Sequence, residues 1–257
     1  MLVESPIFMN RLLLDAKKFV DFACRRRLMQ GETEWGYAIH SLLGEIFGTI
    51  SPKPFFISGQ DKRWMTLLFY SDLERSLLLN HARLFADPAC YSIVDWERFA
   101  QKPLPNEWTL GQRIGFDTRV CPVKRKSGTG GLREKAEVEI DAYLSYLETI
   151  RERKEILSRF QVYEEWVRAQ CDAALAVRCL QVGVRSFQLV AMQRRNQARE
   201  IRSAIRRPEA LISGIFEIVS PSAFQAFLRR GIGRHRAFGF GMILLKPVQE
   251  EMCFKED

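Results

Sequence analysis

PSAFQAFLRRGIGRHRAFGFGMILLKPV, residues 221–248, changes character twice within 28 residues. Residues 221–230 read as a short helix, with Ser220 as N-cap and Pro221 at the first helical position, where a missing N–H leaves no bond unmade. The next stretch holds Gly231, Gly233, Gly239 and Gly241, residues that tolerate positive φ and let another backbone come close. FGMILLKPV, 240–248, then reads as a closing strand. Around the glycines stand Arg229, Arg230, Arg234 and Arg236, with His235 between the last two.

Working back from that end, the second half reads as mixed strands and helices. GQRIGFDTRVCPVKRK (111–126) is a strand with basic residues on alternate positions, followed by a flexible SGTGG loop (127–131). Residues 133–175 form a long charged region with helical character, enough for two or three helices. Residues 177–196 and 210–220 are strand-like.

The first half has the same pattern. Residues 2–9 (LVESPIFM) read as a strand interrupted by Pro6, and 15–29 as a helix with apolar residues at 16, 19, 20, 23 and 28. A second helix covers 35–47, and PFFISG (54–59) and RWMTLLFYS (63–71) read as strands. Residues 72–86 form a helix with Asp72 at the N-cap, and YSIVDWERF (91–99) a further strand. This is the β-α-β-β-α-β order of a ferredoxin-like unit. QKPLPNEW (101–108), with two prolines, reads as a linker. The expected fold is therefore α+β: two tandem ferredoxin-like (RRM-like) domains, 1–102 and 108–257, the second carrying extra helices and the glycine-rich loop.

The 257 residues are 47% hydrophobic, enough for substantial cores. No apolar run approaches the roughly 18–20 residues of a bilayer span. The start, MLVESPIFMN, lacks a basic region ahead of an apolar stretch, so it does not read as a secretory signal. Six cysteines form no CxxC and no tight framework, which fits reduced thiols and a cytoplasmic setting.

Net charge is +8, and it is clustered. Residues 113–135 hold seven Lys/Arg against Asp117 and Glu134, 194–207 six Arg against Glu200, and 229–236 four Arg, so the rest of the chain is net negative. Such clustering points to a polyanionic partner, most simply nucleic acid. The glycine loop is not a dinucleotide fingerprint, because its third glycine comes six positions after the second and a strand follows; it is not a P-loop either, lacking GxxxxGK[ST] before a helix. Exposed backbone N–H groups and guanidinium forks suit phosphate. A plain tight turn accounts for Gly231 but not for four arginines. The candidate RNA-binding set is Lys124, Arg125, Lys126, Arg229, Arg230, Gly231, Gly233, Arg234, His235, Arg236 and Gly239. Arg25, Arg26 and Arg27 either extend that track or form a helix end favoured by its dipole.

Of three histidines, none pairs at metal-ligand spacing, and no metal or cofactor is expected. RNA cleavage does not require one: a 2′-OH can attack the adjacent phosphate if a base takes its proton and an acid protonates the leaving oxygen, both within reach of a group with pKa about 6.5. His40 lies three residues after Tyr37 on one helix face, beside Ile39, Leu42 and Leu43, which also suit a core position. His81 reads as structural, and His235 is the competing candidate. Arg234, Arg236 and Lys124 are candidates for stabilising phosphorane-like charge.

GIGRHRAFGFGMILL resembles the closing segment of the CRISPR repeat-processing endoribonucleases, most of all the CasE type of type I-E systems. YAIHSLLGEIF (37–47) resembles that family's Tyr-x-x-His-x-x-Leu helix, and GFDTRVCPVKRKSGTGGLREK (115–135) the strand and basic loop that open its second domain. The resemblance implies the tandem ferredoxin-like layout, with His40 as general acid/base and Tyr37 orienting ribose or phosphate. It implies a CRISPR repeat stem-loop as substrate, cut at the 3′ base of the stem to leave a 5′-hydroxyl and a 2′,3′-cyclic phosphate. It also implies an enzyme that keeps its crRNA and joins a crRNA-guided effector complex; without a bilayer-length apolar run, no membrane partner is expected. The chain is longer than the family pattern near 15–35 and 140–175. A catalytically inactive RNA-binding subunit of the same assembly, or a generic nucleic-acid-binding module, would share the basic loop.

Overall fold

The computed structural model describes residues 6–28, 35–126, 138–150, 156–192 and 205–248. In the first half, strand β1 (Phe8–Asp15) leads into helices α1 (Ala16–Arg25) and α2 (Gly36–Phe47). Strands β2 (Phe55–Gln60) and β3 (Trp64–Ser71), helix α3 (Arg75–Phe85), a helical turn α4 (Pro88–Tyr91) and strand β4 (Ala100–Pro103) follow. The second half runs β5 (Arg113–Val120), β6 (Val123–Lys126), β7 (Val138–Asp141), α5 (Ala142–Thr149), α6 (Arg159–Asp172), β8 (Val177–Met192), β9 (Ile205–Ile218), α7 (Pro221–Arg230) and β10 (Ile243–Lys246).

Two antiparallel sheets result, ordered β2-β3-β1-β4 and β10-β5-β9-β8. Numbered within each half, both place the first and third strands at the centre with the second and fourth at the edges, the ferredoxin-like arrangement. The extra length is α1 in the first half, and the β6–β7 ladder with α5 in the second.

Side-chain alternation explains the packing. On β1, Asn10, Leu12 and Leu14 point inward and are fully buried. Helices α1, α2 and α3 lay Phe19, Ile39, Leu43, Phe47 and Leu78 over Leu12, Leu14, Leu67 and Phe69. Each such side chain contributes about 1.5–3 kcal/mol. Asn10 is satisfied by Ser71 Oγ at 3.0 Å and by the Gln101 amide at 2.8 Å, so its burial leaves no orphan. In the second half, Tyr163, Val167, Phe224 and Phe227 cover Phe116 and Phe216, whose rings stack at 4.9 Å.

The two halves are locked together. Tyr70 and Leu68 alternate with Leu67 and Phe69 along β3, so they face the other way, into the second core. Tyr70 donates its hydroxyl to the Ile243 carbonyl at 2.8 Å, and burial pushes its pKa up, keeping it a donor. Among the described residues no helix is long and apolar enough to cross a membrane.

The sequence expectations need four local corrections. Of the strand expected at 2–9, residues 2–5 lie outside the described residues and 6–7 are not strand; β1 is Phe8–Asp15, a central strand bonded on both edges, and Pro6 has no N–H to offer such a position. The third helix begins at Arg75 with Glu74 at its N-cap position, because the Asp72 carboxylate is engaged by Arg229 across the seam, Nε to Oδ1 2.7 Å. Residues 91–99 are not a strand. Asp87 caps the Ala89 N–H with Pro88 at N1, and Trp96 folds back to donate to the Tyr91 carbonyl, leaving Val94 a single bridge to Leu14. The strand is Ala100–Pro103, which takes the first residues of the expected linker into the sheet. Finally, Val138–Asp141, read as helical, is a strand paired with β6, since Val138 and Ile140 alternate with charged residues at period two. Residues 127–131 lie outside the described residues. The cap assignments at Ser220 and Pro221 hold: the Ser220 side chain accepts from the Ala223 N–H.

Candidate functional site

The glycine loop is pinched at its base. Gly231 (φ 68°) closes α7, and Gly241 (φ 82°) enters β10. Ile232 N–H donates to the Gly241 carbonyl at 2.8 Å, and Gly241 N–H to the Arg119 carbonyl at 2.6 Å. A Cβ on Gly241 would stand 2.2 Å from the Ile232 oxygen, inside any tolerated contact. Here only glycine combines the backbone angle with the close approach. Gly241→Ala is expected to cost about 2–3 kcal/mol, as a residue strained at positive φ against backbone. Urea unfolding checks this, and a loss below about 0.5 kcal/mol, the level of an ordinary surface change, contradicts it.

Beyond the pinch the loop turns outward and meets the first half. Gly239 packs against Phe55, and Gly231 against Pro54, at the entry to β2. The Phe238 ring lies 6.0 Å from Tyr37, 5.6 Å from His40 in an edge-on arrangement, and 6.2 Å from His235 in a stacked one. His40 on α2 and residues 233–238 thereby line one cleft of about 690 Å³, with Lys53 and Glu139 also in its walls. Two groups 195 positions apart in the chain face the same space.

Charge in the cleft is organised around Glu139. Its carboxylate accepts from Arg234 Nε at 2.6 Å and from His235 Nε2 at 2.9 Å, and pairs with Arg207 at 3.3 Å. Burial opposes the ionised form of Glu139, but these three cations outweigh it and hold its pKa below the usual range. Burial, followed by the nearby Lys53 ammonium, lowers the pKa of His40. His40 is therefore mostly neutral at pH 7, able to accept a proton. The pKa of His235 is also lowered overall: burial lowers it most, Glu139 pushes it back up, and Arg207 and Arg234 lower it again.

The expected site residues divide into three groups. His40, Gly233, Arg234, His235 and Arg236 line the cleft, and Tyr37 supports it through Phe238. Arg236 also donates to the Arg230 carbonyl at 2.8 Å. Gly231 and Gly239 are buried beneath the loop, shaping it rather than facing solvent. The remainder lie apart: Lys124 and Arg125 are exposed on β6, Lys126 pairs with Glu148, Arg230 is exposed, and Arg229 ties to Asp72. Lys124 is outside the cleft lining, so it does not meet His40. Arg26 pairs with Glu45, and Arg25 and Arg26 line a different cavity. His81 Nε2 sits 3.1 Å from the Phe47 carbonyl and its ring stacks on Phe85, as a structural histidine would.

Sequence reasoning missed Lys53, Glu139, Arg207 and Phe238. Lys53 stood in a proline turn, and Glu139 in a stretch read as helix. The EVEI alternation at 137–140 was the available signal for the strand that carries it. Strands β8 and β9 pair from Val177↔Ile218 out to Met192↔Ile205, whereas β5 pairs with β9 only as far as Ala210. The two therefore continue past the sheet as a ribbon, and the sequence joining them carries Arg194, Arg195, Arg199 and Arg202.

A model of the family described as CRISPR associated protein matches residues 7–247. The CRISPR-associated endoribonuclease Cse3 of Thermus thermophilus is 30% identical over 166 residues, spanning 61% of this chain and 68% of the relative. In fold, the chain is similar to CRISPR endoribonuclease Cse3 bound to a 19-nucleotide RNA, with TM-score 0.61, 18% identity, and coverage of 94% of this chain and 100% of that one. It is also similar in fold to a chain of a CRISPR RNA-guided surveillance complex in a pre-nicking state, with TM-score 0.55, 15% identity, and coverage of 94% and 100%.

Proposed function

The chain belongs to the CRISPR associated protein family, and on that premise we propose that it is an endoribonuclease of the CasE type. It cuts the repeat stem-loop of precursor crRNA. It is a cytoplasmic protein of two units, 1–102 and 108–257. One observation carries the reading: a half-buried histidine on α2 and a phosphate-suited basic loop from the other half open onto one cleft.

In this cleavage, His40 takes the proton from the 2′-OH as that oxygen attacks the scissile phosphorus. Arg234, Arg236 and Lys53 supply positive charge where the phosphorane forms, inside a partly buried cleft where electrostatic stabilisation is strong. Tyr37 holds Phe238, and through it the relation of His40 to the loop, while orienting the ribose or phosphate. The exposed basic residues Lys124, Arg125 and Arg230, with Lys126 and Arg229, extend the phosphate track beyond the cleft. A stem is gripped mainly by shape and phosphates, because the major groove of A-form RNA is too narrow for side-chain reading. The products are a 5′-hydroxyl and a 2′,3′-cyclic phosphate. The enzyme retains its crRNA within a crRNA-guided effector complex, as its likeness to a surveillance-complex chain supports.

The test is incubation of the full-length protein with the labelled repeat RNA of its own CRISPR locus in EDTA, with binding read at several salt concentrations. Cleavage to a cyclic-phosphate end is expected, with binding that weakens steeply with salt. Binding without cleavage, in EDTA and with magnesium alike, would instead identify an RNA-binding subunit of the effector assembly. Binding indifferent to the hairpin would identify a generic nucleic-acid module.

A further inference from the structure

We propose that His235 is a second catalytic residue, the general acid that protonates the leaving 5′-oxygen, and that Glu139 is its positioning residue. This rests on the ribonuclease reading above and deepens it.

An in-line displacement at phosphorus needs proton acceptance on one side and donation on the other. His40 supplies only one of these in a given turnover. A second imidazole contacts the same Phe238 ring, His40 and His235 lying 5.6 Å and 6.2 Å from its centroid. Both line the same cleft. His81, the remaining histidine, is tied to the Phe47 carbonyl on α2 and does not line it.

His235 is held more firmly than a surface loop residue would be. Its backbone has φ 58°, a left-handed conformation that glycine, abundant in this loop, would adopt with less strain. Its side chain is 13% exposed. The ring stacks on Phe238, and Nε2 donates to Glu139 Oε2 at 2.9 Å. Nδ1 has no hydrogen-bond partner among the described residues. A carboxylate on one ring nitrogen fixes the orientation of the imidazole and favours its protonated form against burial and the two guanidiniums, which lower its pKa overall, leaving the other nitrogen for the substrate. Glu139 is itself held by Arg234 on the loop and Arg207 on β9, so the dyad is braced from two elements.

The step balances. The 2′-oxygen bonds to phosphorus and its proton passes to His40. The bond from phosphorus to the 5′-oxygen breaks, and that oxygen takes the Nδ1 proton of the His235 imidazolium. The products are a 2′,3′-cyclic phosphate and a 5′-hydroxyl, with one histidine gaining a proton and the other losing one. Solvent restores both.

The decisive substrate is the repeat RNA of the same locus with sulfur in place of the bridging 5′-oxygen at the scissile position, because a thiolate leaves without being protonated. Single-turnover rates are compared at saturating enzyme. His235→Ala is expected to slow the oxygen substrate by about 10²-fold, the lower range for a general acid, and to cut the sulfur substrate at close to the wild-type rate. His40→Ala slows both. Glu139→Gln gives a smaller loss that sulfur also restores, which a merely structural change would not do. Equal slowing of both substrates by His235→Ala, or no slowing of either, overturns the assignment and leaves the ribonuclease reading standing. A wild-type protein that cuts neither substrate overturns both.

Discussion

His40→Ala is expected to lower the rate of repeat cleavage by between about 10² and 10⁴-fold, the contribution of a positioned acid–base group, with RNA affinity preserved. Affinity survives because the phosphate-suited groups are Arg234, Arg236, the loop backbone and the exposed basic residues, none of which depends on the imidazole. The pH dependence is a second readout of the same group. The reactive form of His40 is neutral, and burial first, Lys53 second, hold its pKa below 6.5. The acid limb of kcat/KM therefore rises with pH to a midpoint below 6.5, where an unperturbed histidine would put it at about 6.5. Lys53→Met removes one of the two causes and moves that midpoint upward. The other charged groups of the cleft, Glu139, Arg234, His235 and Arg236, stay in place in that variant. Undiminished cleavage by His40→Ala removes His40 from the chemistry, and a midpoint above 6.5 contradicts its role as the base.

Glu209→Ala is expected to destabilise the protein by about 3–5 kcal/mol, the cost of stranding a buried charge. Arg119 on β5 and Glu209 on β9 are 8% and 7% exposed and form an ion pair, with Gln188 donating to the second carboxylate oxygen at 2.9 Å. The Arg119 guanidinium lies 4.3 Å from the Phe240 ring centroid, and the Arg119 carbonyl receives the Gly241 N–H. The pair thus sits directly beneath the glycine loop. Without Glu209 the guanidinium keeps its desolvation cost and loses its ion pair with this carboxylate. Arg119→Met with Glu209→Leu removes both charges at similar volume and is expected to recover most of the loss. Urea denaturation of the two variants measures this, and a cost under about 1 kcal/mol for Glu209→Ala, the range of an exposed pair, means the site is wet rather than buried.

Much of the architecture was legible because it follows from local rules. Ser220-Pro221 announces a helix start, and Trp64 to Ser71 carries the alternation of a half-buried strand. Where local signals misled, a longer-range demand won. Tyr91 to Phe99 has strand composition but follows an Asp-Pro cap that turns the chain, and Asp72 looks like a cap but is claimed by Arg229, 157 positions away.

The site divides the same way. His40 with Tyr37, and the glycines with their arginines, could be picked out as separate features, because helical spacing and backbone freedom are properties of the chain itself. Their meeting was not legible, since no local rule relates residue 40 to residue 235. It depends on the outward face of β3, where Leu68 and Tyr70 anchor one half on the other. Glu139 and Lys53 were invisible for a related reason. A carboxylate becomes the partner of three cations, and a lysine the neighbour of a histidine, only when strands and turns from distant parts of the chain are packed together. What the sequence determined by itself was most of the element order, the basic loop and the candidate groups, since those rest on period, propensity and charge. What only the tertiary structure decided was which of those groups share a cleft and what their protonation is. Burial and Coulomb interactions depend on distances that folding alone sets.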